Sequence, residues 1–183
     1  MSHNTQRLFF AVTLDADTHA KVAALIEKLK IEDKDQLVRW MNPDNLHITI
    51  RFLGKTRRAV VPDLITEIEA AIKKLSPFSI QLTELELFPN HHPHIVSVKV
   101  ASNPELAALA ACVGAVVTAF GFPADKHHYN PHLTLGRFKK NKLPHFEKTD
   151  LKCDFLVNKV FLVDSLLKER GATHTYIKTF LLH

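Results

Sequence analysis

One four-residue pattern occurs twice in this chain and constrains its fold more than any other feature. The two copies are His47-Ile48-Thr49-Ile50 and, 85 residues later, His132-Leu133-Thr134-Leu135. Each copy alternates polar and apolar residues, which is typical of a strand that is buried on one face. Because successive side chains of a strand point to opposite faces, the histidine and the threonine of each copy share one face. The repeat therefore predicts two strands that each present an imidazole and a hydroxyl.

The surroundings of the two copies also match. An asparagine precedes each histidine by two residues, at Asn45 and Asn130, and a glycine follows each copy, at Gly54 and Gly136. A single copy would be a weak signal, since a structural histidine bonded to a nearby carbonyl is the commoner explanation for it. Two copies in similar contexts indicate that the histidines work as a pair. We predict that each strand begins after a turn and ends at its glycine.

The remaining sequence predicts α+β architecture with antiparallel sheets, because strands alternate with helices early and hairpin-like links dominate late. Asp15 or Asp17 is expected to cap the first helix, which runs to about Lys30. The other predicted helices cover residues 62–75 and 104–120. The predicted strands outside the two copies cover residues 7–14, 37–40, 78–87, 95–100, 155–163 and 173–182.

Composition narrows the class of protein. The chain has 183 residues, of which 46% are hydrophobic, so one compact domain or two lobes sharing a core is expected. It contains no apolar run of membrane-spanning length and no secretory signal, and its two cysteines form no framework, so a cytoplasmic location is expected. With five glycines there is no glycine-rich phosphate loop. The formal net charge of +5 favours an anionic partner such as nucleic acid, although it is a weak indication alone.

The paired histidines suit acid–base chemistry at a phosphate. Imidazole has an unperturbed pKa of about 6.5, so one histidine can be neutral while the other is protonated. The neutral ring can take a proton from water, and the protonated ring can give one to a departing alkoxide. Thr49 and Thr134, on the same faces, can donate hydrogen bonds to non-bridging phosphate oxygens. This chemistry requires no metal or cofactor.

Four further residues are candidates for substrate contacts, each with a structural alternative. Arg51 shares a face with the first pair if its strand is regular, or it is a solvated residue at the strand end. Arg137 faces the opposite side unless a bulge intervenes, and an ion pair is its alternative role. Phe9 could stack on a base or pack in the core. Tyr129, three residues before the second copy, is expected to line the site.

A zinc site is the competing interpretation of the histidines. Imidazole ligands could come from His91, His92, His94, His127, His128 and His132. No cysteine or carboxylate lies at the usual spacing, and the loop around His91 is expected to be exposed. His91, His92 and His94 are therefore expected either at the rim of a pocket or on an inert surface.

In these segments the chain resembles the two-histidine phosphoesterase superfamily, and closely the bacterial and archaeal RNA 2′,3′-cyclic phosphodiesterases, historically called 2′-5′ RNA ligases. The resemblance covers nearly the whole chain. It is carried by residues 7–12, 38–40, 45–54 and 131–137 and by the closing hairpin with Gly171. One departure is the histidine-rich segment 91–94, where the family often has an arginine-rich stretch.

The resemblance implies a single bilobal α+β domain over residues 1–183, with two small antiparallel sheets flanked by helices around a central cleft. It implies metal-independent hydrolysis of an RNA-terminal 2′,3′-cyclic phosphate to a 2′-phosphomonoester. By similarity, His47 is the proton donor, His132 the proton acceptor, and Thr49 and Thr134 hold the phosphate; the acid and base labels are exchangeable. The implied partners are RNA ends or 2′,3′-cyclic nucleotides, and a monomer without cofactor or membrane suffices. Two alternatives stay open: 2′-5′ joining of a cyclic phosphate end to a 5′-hydroxyl, and non-catalytic binding of RNA or nucleotide phosphate.

Overall fold

The computed structural model of the protein describes residues 4–125, 128–139, 142–147, 149–168 and 171–183. Within these ranges the chain forms nine strands and three α-helices, which confirms the α+β class. In chain order the elements are β1 Thr5–Val12, α1 Ala16–Glu32, β2 Val38–Trp40, β3 Ile48–Arg57, α2 Val61–Ile72, β4 Phe78–Phe88, β5 Ile95–Val100, α3 Pro104–Ala119, β6 His132–Phe138, β7 Asp150–Val157, β8 Lys159–Lys168 and β9 Gly171–Leu181.

The strands form one open sheet with two arms. Its order is β7-β4-β5-β6-β3-β1-β8-β9, and β2 pairs with the outer part of β6. We call β3-β1-β8-β9 the first arm and β6-β5-β4-β7 the second arm. A single residue pair, Ile48 with Leu133, joins them. The two small antiparallel sheets expected from the sequence are therefore these two arms, meeting edge to edge at the two repeated segments.

The helices cover one face of the sheet, and the other face is open. Ile48 and Leu133 are fully buried and belong to the same hydrophobic cluster as Ile26 of α1, Leu64 of α2 and Val113 of α3. Burial of apolar side chains drives this layering, so the aliphatic positions of both repeats face the helices. The polar positions consequently face away from the core.

Local signals place two of the helices. The Asp15 side chain accepts a hydrogen bond from the amide of Thr18, which caps α1 as expected. Asn103 caps α3 in the same way, and Pro104 occupies its first turn. None of the described helices is long and apolar enough to span a membrane. The cytoplasmic location and the monomeric state stay predictions.

The glycines after the two repeats do not end the strands, so that prediction is wrong. Strand β3 continues past Gly54 to Arg57, where it pairs with Thr5 of β1. Strand β6 continues past Gly136 to Phe138, where it pairs with β2. Gly54 has a φ of +71°, a conformation that glycine adopts readily, so it adjusts the strand without terminating it.

The segment 155–163 is two strands instead of the one expected. Strand β7 ends at Val157 in the second arm, and β8 begins at Lys159 in the first arm. Only the two polar residues Asn158 and Lys159 interrupt this apolar segment, and it contains no glycine or proline to mark a turn, so the sequence analysis missed the crossing between arms. The closing hairpin of β8 and β9 is confirmed, with Lys168 paired to Gly171.

Each repeat carries a β-bulge at the same position. The pairing of β3 with β1 skips Ile50, and the pairing of β6 with β5 skips Leu135. An extra residue reverses the alternation of faces beyond it. Side chains three residues after each threonine, Phe52 and Arg137, therefore face the open side, whereas Arg51 faces the helices.

Candidate active site

The open face of the sheet holds a cleft of about 600 Å³ between the two arms. From the first arm it is lined by Phe9, His47, Thr49, Phe52 and His174. The second arm contributes Thr134, Gly136 and Arg137, and β2 contributes Arg39 and Trp40. The cleft thus lies where the repeats meet.

The pairing between arms brings the four repeat residues together. In an antiparallel ladder that pairs Ile48 with Leu133, Thr49 lies across from His132 and Thr134 across from His47. Side chains facing each other across neighbouring strands have Cβ atoms roughly 4.5–5.5 Å apart. His132 is not among the residues lining the 600 Å³ volume, but it precedes Thr134 by two residues on the same face.

Main-chain carbonyls orient both imidazoles in the same way. The Nδ1–H of His47 donates to the Asn45 carbonyl at 2.6 Å, and the Nδ1–H of His132 donates to the Asn130 carbonyl at 3.0 Å. A carbonyl can only accept, so this bond fixes the proton on Nδ1 and leaves Nε2 of each ring for other partners. The repeated asparagines thus act through their main-chain oxygen atoms.

A phenylalanine supports each histidine ring. The Phe9 ring lies 4.8 Å from that of His47, and the Phe88 ring is stacked on that of His132 at 4.2 Å, measured between centroids. Phe9 borders the cleft but is only 3% exposed. This burial, and the contact with the His47 ring, favour the packing alternative for Phe9 over stacking on a base.

Burial keeps both histidines neutral in the ligand-free protein. Desolvation lowers the pKa of His47 to about 4, and the nearby charges of His174, His132 and Arg137 act in the same direction against the Asn45 hydrogen bond. Desolvation also lowers the pKa of His132, with Arg137 adding to the effect. An anion in the cleft would oppose these effects, because it favours the charged imidazolium.

This fold and this pair of repeats agree with the comparison to known families. The family model of the 2′-5′ RNA ligase superfamily matches residues 17–169. The chain belongs to this superfamily. Among its relatives, RNA 2′,3′-cyclic phosphodiesterase of Aquifex aeolicus is 28% identical over 175 residues, covering 90% of this chain and 93% of the relative. The protein of the same name from Archaeoglobus fulgidus is 34% identical over 137 residues, 73% of each chain.

Solved structures of similar proteins share the whole fold of this superfamily member. The crystal structure of TT0787 of Thermus thermophilus matches with a TM-score of 0.84 and 26% identity, covering 96% of this chain and 97% of the other. Escherichia coli LigT complexed with 3′-AMP matches with a TM-score of 0.83, 22% identity, and coverage of 97% and 98%. These matches show that the chain has the same overall fold as these solved structures over nearly its whole length.

Arg51 does not face the cleft, so its predicted substrate contact is wrong. The bulge at Ile50 turns its side chain towards the helices, where it is 5% exposed. There the guanidinium pairs with the Asp125 carboxylate and donates to the Pro123 carbonyl. Phe52 takes its place on the cleft face, half exposed, with the Arg7 guanidinium 4.9 Å above its ring.

Arg137 reaches the cleft because the bulge that its prediction required is present. The extra residue is Leu135, one position before the glycine suspected from the sequence. The charge of Arg137 lowers the pKa of both motif histidines, which places it near both rings. No carboxylate among the described residues pairs with it, so the alternative role as an ion-pair partner is not seen.

Tyr129 supports the site from behind instead of lining the cleft. Its hydroxyl donates to the main-chain carbonyl of Thr49 at 2.9 Å, which ties the loop before one repeat to the strand of the other. Burial raises the pKa of this phenol, so it stays protonated. We replace its predicted substrate contact with a structural role.

No sequence pattern indicated His174, which also lines the cleft. Its ring lies 5.2 Å from that of His47 and 5.1 Å from that of Phe9, between centroids. The Asn45 side chain donates to the Ala172 carbonyl at 2.9 Å and so holds β9 against the loop before His47. Only the pairing of distant strands brings His174 here, and no short motif marks it.

The histidines of the zinc interpretation do not assemble in the part of the chain that the structure describes. No group of three or more histidine, cysteine, aspartate or glutamate side chains there is arranged to hold a metal ion. His91 and His92 are exposed, and the Nδ1–H of His94 donates to the His92 carbonyl. His127 lies outside the described residues.

Proposed function

We propose that this protein hydrolyses the 2′,3′-cyclic phosphate at an RNA end to a 2′-phosphomonoester. One observation supports the proposal: the two histidines, each held through Nδ1 by a main-chain carbonyl, share one face of the sheet with the two threonines, and His47, Thr49 and Thr134 line the cleft between the arms. The names of the relatives from Aquifex aeolicus and Archaeoglobus fulgidus support the same activity.

The proposed reaction is an in-line displacement at phosphorus. His132 Nε2 takes a proton from water as the water oxygen bonds to phosphorus. The bond from phosphorus to the ribose O3′ breaks, and His47 Nε2–H gives its proton to that oxygen. The products are a 3′-hydroxyl and a 2′-phosphomonoester. Thr49 and Thr134 donate to non-bridging oxygens, and the Arg137 charge opposes the negative charge of the phosphoryl group.

The assignment of His47 as the acid comes from the family resemblance. The pKa of His47 in the free protein favours the neutral ring and therefore the opposite role, that of the base. The pKa of His47 falls to about 4, so His47 is easily kept neutral. A base must be neutral and an acid protonated. An experiment that separates the two roles is therefore required.

The first experiment tests the reaction itself, with chelator in excess. The substrate is an oligonucleotide that ends in a 2′,3′-cyclic phosphate, and the product is examined for the position of its phosphate. We expect a 2′-phosphate, with kcat lowered about 10²- to 10⁴-fold in His47→Ala and His132→Ala. His91→Ala, which removes an exposed histidine, is the matched control and should retain the wild-type rate.

Three results would contradict the proposal. Loss of turnover in chelator would exclude a metal-independent reaction, and tight binding without turnover would identify a phosphate-binding module. A nuclease-resistant branch formed with a 5′-hydroxyl RNA, faster than hydrolysis, would identify 2′-5′ joining as the main activity.

The same variants assign the acid if the leaving group is changed. A phosphodiester with a nitrophenolate leaving group needs no proton to depart. If His47 is the acid, His47→Ala should retain most activity on this ester while His132→Ala loses it. The reverse result would exchange the two labels.

A further inference from the structure

Two arginines lie side by side in the cleft, and no acidic side chain of the described residues offsets their charges. Arg39 of β2 is paired directly opposite Arg137 of β6, and both line the cleft. Like charges at directly opposed positions destabilise a sheet. Over the described ranges no carboxylate lies within ion-pair distance of either guanidinium, so the repulsion between them is not relieved there.

The close approach of β2 fixes this arrangement. A Cβ atom built on Gly136 would come within 2.5 Å of Val38 Cγ1 and 3.2 Å of Trp40 Cε3, so β2 packs directly on the bare glycine. The Met41 amide also donates to the Leu135 carbonyl at 2.7 Å. A three-residue strand held this tightly keeps Arg39 beside Arg137 even though their charges repel.

Arg137 and Arg39 differ in their relation to the two motif histidines. The charge of Arg137 acts on both histidines, whereas Arg39 is not among the charges that affect them. Arg39 lies on the strand beside Arg137, about 4.8 Å away in a typical sheet, and β2 pairs with the same edge of β6 as β3 but nearer the end of β6. Arginine guanidinium groups are suited to phosphate because they form paired, charge-assisted hydrogen bonds.

We propose that Arg39, together with Arg137, binds the phosphodiester that precedes the terminal cyclic phosphate. The site then selects the ends of oligonucleotide chains over 2′,3′-cyclic mononucleotides, which lack this second phosphate. This inference rests on the proposed function, because the repeat residues must hold the cyclic phosphate for Arg39 to meet its neighbour.

The experiment compares three substrates with the same terminal cyclic phosphate, of which the two dinucleotides differ only in the charge of the second phosphate. They are a 2′,3′-cyclic mononucleotide, a dinucleotide with the same terminal cyclic phosphate, and that dinucleotide with an uncharged methylphosphonate linkage. For the wild-type protein we expect kcat/KM to be roughly ten- to a hundredfold higher for the charged dinucleotide, as one charge-assisted contact provides. The methylphosphonate should behave like the mononucleotide.

Variants of Arg39 test which residue provides this preference. In Arg39→Ala the ratio of kcat/KM between the charged dinucleotide and the mononucleotide should fall towards one, mainly through KM. Arg39→Met, which keeps the aliphatic stem, should do the same if packing is not the cause. Arg57→Ala removes an exposed arginine that does not line the cleft and should keep the wild-type ratio.

Other results would overturn the inference. An equal loss of kcat/KM for the charged dinucleotide and the mononucleotide in Arg39→Ala would mean that the arginine pair binds the cyclic phosphate itself. Equal rates for the charged and uncharged dinucleotides would mean that the second phosphate is not bound. If the wild-type protein turns over neither substrate, the proposed function fails. Calorimetric binding of the 2′-phosphate products then tests the arginine pair separately, since Arg39→Ala should weaken only the charged dinucleotide.

Discussion

At the scale of single residues, the surroundings of His47 favour its neutral imidazole, whereas its proposed role as the acid needs the protonated ring. Desolvation keeps the ring neutral, and its Nδ1 proton is held by the Asn45 carbonyl. A general acid must carry a second proton on Nε2. The lowered pKa of His132, by contrast, suits its proposed role as the base, which must be neutral. A bound phosphate resolves the conflict at His47, because the anion stabilises the imidazolium that the empty cleft disfavours.

This conflict predicts an acid-shifted pH profile for the free enzyme. The value of kcat/KM follows the protonation states of the free protein, and both histidine pKa values are lowered there. Whichever histidine is the acid, its protonated fraction falls as pH rises, so kcat/KM should begin to decline below pH 6.5. The decline in kcat should come at higher pH, since bound phosphate raises both pKa values. A decline in kcat/KM that begins above pH 6.5 would contradict this account.

At the scale of the elements, the two bulges decide which residues enter the cleft. Period-two alternation correctly predicted the strands and the shared faces of His47 with Thr49 and of His132 with Thr134. It failed at Arg51, because the extra residue at Ile50 exists only through the pairing of β3 with β1. A bulge depends on a partner strand distant in sequence, so a local pattern does not reveal it. The same reason hid His174, which only the pairing of β9 with β8 and of β8 with β1 brings to His47.

The close packing of β2 on Gly136 predicts that a larger residue at this position destabilises the protein. In Gly136→Ala the new methyl group would overlap Val38 and Trp40, so we expect about 1–3 kcal/mol of lost stability. Gly114, within α3, is the matched control, because a Cβ there would meet nothing within 4 Å. Gly114→Ala should stabilise the protein by about 0.5–1 kcal/mol, the usual gain in a helix interior. Urea unfolding measures both changes, and a Gly136→Ala variant as stable as wild type would show that β2 can move away without cost.

At the scale of the whole molecule, the two arms share one core but meet at a single residue pair. The buried Ile48 and Leu133 hold the junction on the helix side, and the polar side chains beside them form the site on the other side. The reactive groups are thereby placed at a seam between arms, where the hydroxyl of one arm lies beside the imidazole of the other. A change in the angle between the arms would therefore move each imidazole away from the hydroxyl of the other arm, in both pairs at once.

The lowered pKa of His47 also ties the stability of the entire domain to pH. Its pKa is about 4 in the folded protein and about 6.5 in the unfolded chain, so the unfolded state binds more protons between these values. Stability from this residue is therefore fully present above pH 6.5 and declines as pH falls, by up to about 3 kcal/mol near pH 4.

In unfolding titrations, His47→Asn should show a weaker loss of stability from pH 6.5 to 4 than wild type. His91→Asn, an exposed control, should follow the wild-type curve. Parallel curves for His47→Asn and wild type would mean that His47 ionises in the cleft as freely as in the unfolded chain, and the proposed conflict between burial and proton donation would be absent.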